Sequence, residues 1–153
     1  MSPREVSEQT IREAHLLAAD QDVRSAVAAL LDSGLPALPV VDPDGRPTGV
    51  FGEREFMEAL FPGYVKQLGY AGFVGKRLED ALEKRATCAA EPVGDHMFAE
   101  HVDVGSDFSD VQVAETFLHH RVLIVPVVED GKVIGVITRA DFFHSLAQRF
   151  LDQ

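Results

Sequence analysis

The sequence predicts an α+β protein built from two β-α-β-β-α repeats, packed together with pseudo-twofold symmetry. Three observations predict it. Apolar residues alternate between strand-length runs and helical spacing in one order, and that order returns downstream. Landmark residues keep a nearly constant offset of 87 and then 86 positions between the copies. Each copy is too small to bury its own apolar face well, so two copies must share their surfaces.

In the first copy, residues 4–19 begin polar and gain Ile11, Leu16 and Leu17, which predicts a helix or extended arm ending in a short strand near Ala14–Leu17. Asp20 and Asp22 offer caps for a helix carrying Val23, Ala26, Val27, Leu30 and Leu31, and Gly34 stops it. Residues 35–41 form a short apolar strand, and Asp42-Pro43-Asp44-Gly45 has the chemistry of a turn. Residues 48–52 make an antiparallel return. A helix from Glu53 to Leu60 follows, with Phe56, Met57 and Leu60 inward.

The second copy repeats this. Val93 lies 87 positions after Val6, and Glu100 lies 87 after Glu13. A helix spans about Ser109 to Arg121, followed by a strand over 122–128 in which Pro126 falls on Pro39. The turn Glu129-Asp130-Gly131 is one residue shorter, so the offset becomes 86: Gly135 falls on Gly49, Phe142 on Phe56 and Leu146 on Leu60. Three units result: residues 1–60, a helical insertion and linker over 61–92, and residues 93–153.

Composition narrows the function. A net charge of −11 and a pI near 4.8 argue against nucleic acid and against an anionic membrane surface. The single cysteine, Cys88, rules out an intramolecular disulfide and a cysteine metal cluster. The start is polar, with no signal peptide, and no apolar run approaches the roughly 18 residues of a membrane span. The expectation is a cytoplasmic protein. His15, His96, His101, His119, His120 and His144 form no metal-binding spacing, and Ser106, Ser109 and Ser145 have no nucleophile context. Neither catalysis nor a metal is expected, and no cofactor is required.

The stretch that carries chemistry runs from Ile134 to Phe143. Thr138 opens a helix and Asp141 stands three positions on, as in a capping box. Free N–H groups and partial positive charge at such an end suit an anion, and a carboxylate beside it suits sugar hydroxyls. Taken alone, the pair is better explained by plain capping than by a ligand site.

Together, His120 to Val128, the Asp130-Gly131 turn and Gly135 to Asp141, with Leu38 to Asp42, Gly45 and Gly49-Val50 in the first copy, resemble the cystathionine-β-synthase (CBS) domain in tandem. The resemblance implies a stand-alone regulatory pair that binds an adenosine-type ligand (AMP, ADP, ATP or S-adenosylmethionine) and modulates a partner. It implies that Thr138 contacts ribose or phosphate and that Asp141 takes the ribose hydroxyls. Val122, Leu123 and Ile124 would flank the adenine, with Val102 and Val104 closing the other side. Arg139 is placed to reach phosphates. The weaker second site would comprise Leu35, Ala37, Gly52 and Glu55, because Gly52 stands in for the hydroxyl residue and Glu55 for the aspartate.

Tyr64, Leu68, Tyr70 and Phe73 give the insertion an aromatic patch ahead of a helix over 76–85, read as a side cover or as a docking surface for a partner protein or second protomer. The expected assembly is a homodimer. The alternative is an interaction scaffold with degenerate sites. A nucleotide-processing enzyme is a third reading, without any base beside a nucleophile.

Overall fold

The computed structural model describes residues 5–61 and 78–153. After a 3-10 turn at Glu8–Thr10, the first copy runs β1 (Leu17–Ala18), α1 (Val23–Ser33), β2 (Ala37–Val41), β3 (Pro47–Gly52) and α2 (Glu53–Leu60). The helix α3 (Leu78–Lys84) and 3-10 turns lead into the second copy: β4 (Val104–Gly105), α4 (Asp110–His119), β5 (Ile124–Glu129), β6 (Lys132–Thr138) and α5 (Arg139–Leu151). The aromatic patch expected at 64–73 lies outside the described residues. Among the described residues, no helix is long and apolar enough to cross a membrane.

Each copy holds a three-stranded sheet, β1-β2-β3 or β4-β5-β6, with the first pair parallel and the second antiparallel. Even the irregularities match: the ladder slips between Val40 and Val41, and again between Val127 and Val128. The predicted helix ends hold. Asp22 accepts a hydrogen bond from Ser25 N at 2.9 Å, and Gly34 closes α1 at a φ of 69°, a left-handed conformation that costs glycine little. Ser109 caps α4 through Gln112 N.

The lead-in segments of the two copies are exchanged. Arg12 pairs with Val136 of the second copy, N to O at 2.8 Å and O to N at 2.9 Å. Phe98 does the same with Val50 of the first, at 2.8 and 3.0 Å. Glycine permits the crossing: a Cβ at Gly135 would lie 2.8 Å from Arg12 O, and one at Gly49 would lie 2.9 Å from Phe98 O. The exchange also accounts for a proline in each middle strand. Pro39 faces Val50 and Pro126 faces Val136, and each valine spends its backbone groups on the crossing segment. No bond of the β2–β3 or β5–β6 ladder is therefore lost to the missing proline N–H.

The cores interlock in the same way. Val6 is buried among Val104, Phe108, Val113, Val127 and Ile137 of the second copy. Val93 is buried with Leu17, Val23, Leu38 and Phe51 of the first. Asp110 fixes the N-terminal segment by accepting from Val6 N at 2.9 Å and Ser7 N at 2.7 Å. Two details differ from expectation. β1 begins at Leu17 rather than Ala14, and Met57 faces solvent while Ala59 is the buried residue of α2. Helical spacing identifies an apolar face but not what covers it.

Candidate functional site

Thr138 ends β6 and begins α5 with extended backbone, and its buried hydroxyl accepts from Asp141 N at 3.0 Å. Capping is therefore realised. Arg139 N donates to Leu123 O at 3.0 Å, so two of the helix-start donors expected to face an anion are already engaged. The Thr138 side chain also hydrogen-bonds the Asp141 carboxyl and helps hold it in the ionised form.

Asp141 is held by Arg12. Nε donates to Oδ2 at 2.5 Å and Nη2 to Oδ1 at 2.9 Å, a fork that engages both carboxylate oxygens. Arg12 holds the Asp141 carboxyl below its ordinary range, chiefly through this hydrogen bonding, and Asp141 in turn raises the arginine. Beside the pair are two separate cavities. One, of about 370 Å³, is lined by Arg12, Ser33 and Leu35, and the other, of about 480 Å³, by Pro36, Leu123, Arg139 and Phe143. Asp141 lines neither of these two.

At the pseudo-symmetric position one cavity of about 450 Å³ opens between the copies. Its apolar walls include Ala37, Val50, Met97, Phe98, Val122 and Leu123, and Glu55 with Arg54 lies at its α2 end. Gly52 N donates to Glu55 Oε1 at 2.9 Å, the return half of a capping box. The other half is impossible for glycine. A side chain at 52 is also excluded sterically, since its Cβ would lie 2.4 Å from Pro36 O and 2.5 Å from the Ala37 Cβ. Burial pushes the Glu55 carboxyl up, against the hydrogen bond from Gly52 N.

The named site residues do not gather at one place. Ala37, Glu55, Val122 and Leu123 meet at the 450 Å³ cavity, with Gly52 capping the adjoining helix. Val122 thus joins the Glu55 side, and Leu35 joins the side with Arg12, because each copy's approach to its middle strand faces the helix start of the other copy. Leu123 and Arg139 share the 480 Å³ cavity. Ile124 and Val104 instead belong to the cores. Val102 lies before β4 rather than on it. The wall assigned to Val102 and Val104 is supplied by Met97 and Phe98 in one crevice, while Arg12 stands at the matching point of the other. The offset of 87 in this part of the sequence pairs Phe98 with Ile11, so the equivalence of Phe98 and Arg12 shows only in their bridges to the matching Val50 and Val136.

Among the described residues, no group of three or more His, Cys, Asp or Glu side chains is placed to hold a metal ion. His96 lines the 450 Å³ cavity and lies 2.8 Å from Glu91 through Nε2, and Arg85 also reaches Glu91, at 3.2 Å. This network ties the linker to the lead-in of the second copy.

The duplicated unit, the exchanged lead-ins and the crevices between copies define the class. The family model of the CBS domain matches residues 6–62 and again 93–148. The chain belongs to the CBS-domain family and carries the domain twice. A CBS-domain protein of unknown function from Kribbella flavida is 27% identical, with a TM-score of 0.71 over 92% of this chain and 97% of that one. The CBS-pair protein CBSX2 from Arabidopsis thaliana is 20% identical, with a TM-score of 0.73 over 96% and 97%. CBSX2 in complex with AMP is similar at 19% identity and a TM-score of 0.67, over 95% of this chain and 98% of that one. At these identities the CBSX2 structures speak for the fold alone. No curated protein matches the chain.

Proposed function

We propose that this chain is a cytoplasmic, non-catalytic sensing module that takes an adenosine-type ligand between its repeats and modulates a partner protein. The 450 Å³ cavity to which both copies contribute carries this reading. A purine requires apolar walls and a few backbone groups, which Val50, Phe98, Val122 and Leu123 offer, and a ribose diol suits a carboxylate such as Glu55. The AMP complex of CBSX2 supports the ligand class by likeness of fold. AMP, ADP, ATP and S-adenosylmethionine all share the adenosine part. A ligand touching both copies favours one arrangement of the pair over another, and only that difference in affinity shifts the populations a partner reads.

The same proposal includes a homodimer. Leu31 and Leu118 occupy matching positions and are 79% and 82% exposed, and Met57 and Phe143 match at 52% and 67%. An apolar surface that repeats under the chain's own pseudo-twofold fits a second copy by the same symmetry.

A thermal-shift series with AMP, ADP, ATP, S-adenosylmethionine, NADH and GTP tests the reading. At a hundred times its dissociation constant a ligand adds about 2.7 kcal/mol of stability, several degrees for a chain of this size. The expected result is a shift with an adenosine compound that Glu55→Ala and Phe98→Ala abolish. Flat curves at millimolar concentration with every compound refute ligand sensing. They leave the scaffold reading, which the engaged carboxylate of Asp141 favours.

A further inference from the structure

Position 12 in one crevice and position 98 in the other are the same point of the repeat. Each exchanges two backbone hydrogen bonds with a valine of the opposite copy, and those valines, 136 and 50, themselves match. The backbone is equivalent but the side chains are opposites. Arg12 turns its guanidinium onto the helix-start carboxylate of Asp141. Phe98 offers an uncharged ring, and the helix-start carboxylate of its crevice, Glu55, accepts from Gly52 N.

We infer that the crossing residue sets which crevice admits a nucleoside, and that Arg12 bars the Thr138/Asp141 crevice by occupying the carboxylate a ribose diol would need. This inference rests on the reading that the crevices take adenosine-type ligands. Three observations carry it. Both Asp141 oxygens are engaged in the fork, which takes one lone pair of each and places the guanidinium over the edge of the carboxylate that a diol would bridge. Asp141 lines neither of the two cavities beside it, one of them walled by Arg12 and the other by Arg139, whereas Glu55 itself lines the matching 450 Å³ cavity. The two carboxyl groups are biased in opposite directions, Asp141 toward the ion by its partner and Glu55 toward the acid by burial. The site with the more complete threonine and aspartate pair is thus the closed one, and the site with Gly52 and Glu55 is open.

Calorimetric titration with adenosine and, in parallel, AMP tests this on the full-length chain. Adenosine is needed because a freed Arg12 side chain would have its own attraction for a phosphate. Wild type is expected to take one adenosine per chain, Arg12→Ala two, and Arg12→Ala with Asp141→Ala one again. Arg12→Gln, which keeps much of the stem, replaces Arg12→Ala should the latter fail to fold. The converse change, Phe98→Arg, is expected to bring the guanidinium to Glu55 and abolish the wild-type site.

Two sites in wild type, or one site in both wild type and the Arg12 variants, overturn the inference and leave the sensing reading standing. Binding only after Arg12 is replaced upholds the inference and removes the role given to the Glu55 crevice. No binding by any variant overturns both.

Discussion

Phe98 is bound to Val50 by two reciprocal backbone hydrogen bonds of 2.8 and 3.0 Å, an isolated bridge that fastens the lead-in of the second repeat to β3 of the first. Arg12 and Val136 complete the symmetric crossing. Neither repeat is self-contained, because Val6 and Val93 are each buried in the core of the other copy. The crevices lie beside these crossings, so the residues that join the repeats also line the space between them.

The crossing depends on two glycines. Gly135→Ala would place a methyl group 2.8 Å from Arg12 O and 2.9 Å from Ile11 Cγ2, and the backbone oxygen has no rotamer with which to retreat. A loss of about 1–3 kcal/mol is expected, seen as a fall in Tm of several degrees. Gly49→Ala meets Phe98 O at 2.9 Å and should act likewise. An unchanged Tm in both variants would contradict the exchange.

The Arg12–Asp141 pair should be visible in the acid limb of stability. The folded carboxyl is held below its ordinary value of 3.8, so the contribution is complete above that pH and disappears as pH falls through the folded value. The side chains are 52% and 28% exposed, which limits the pair to about 0.2–1 kcal/mol at neutral pH. Wild type should therefore exceed Arg12→Ala modestly at pH 7 in denaturant unfolding, and the gap should close in acid. A gap that persists unchanged at the lowest pH would assign the loss to packing of the arginine stem.

Glu55 should behave in the opposite sense. Its folded carboxyl is raised above 4.5, so the folded state keeps a proton that the unfolded chain has released, and stability falls as pH rises through that window. Glu55→Gln should remove this slope and melt no lower than wild type at pH 7. Glu55→Ala loses the bond from Gly52 N as well and should cost about 0.5–1.5 kcal/mol. A glutamine variant with the wild-type slope would show that burial of Glu55 is not its source.

The proposed dimer gives a prediction in mass. Met57 and Phe143 are exposed in the single chain, so Met57→Glu with Phe143→Glu should leave the fold intact and convert a dimer to a monomer in sedimentation equilibrium. A monomeric wild type, or a double variant that remains dimeric, would refute that surface.

Much of the fold was legible in the residues. Asp22, Ser109 and Thr138 act as caps, the shorter turn before Gly131 changes the offset from 87 to 86, and Pro39 and Pro126 mark matching strands. These are local signals, carried by one residue and its near neighbours. The crossing of Arg12 and Phe98 left only an indirect trace, in Gly49 and Gly135, because a single bridging residue has no periodicity. The ion pair of Arg12 with Asp141 joins residues 129 positions apart, and nothing local marks arginine as the partner. Val104 was expected at a crevice wall only through the family resemblance, and nothing in its own neighbourhood of the sequence marked it as the core residue it is. In Met57 and Phe143 the apolar spacing was visible and its exposure was not.

The most direct test of a ligand crevice between the repeats is amide chemical-shift mapping of the full-length chain as AMP is added. The account predicts saturable shifts grouped at Ala37, Val50, Glu55, Phe98 and Leu123, residues from both copies that line one cavity. Shifts confined to one copy, shifts grouped away from this cavity, or no shifts at millimolar AMP would contradict it.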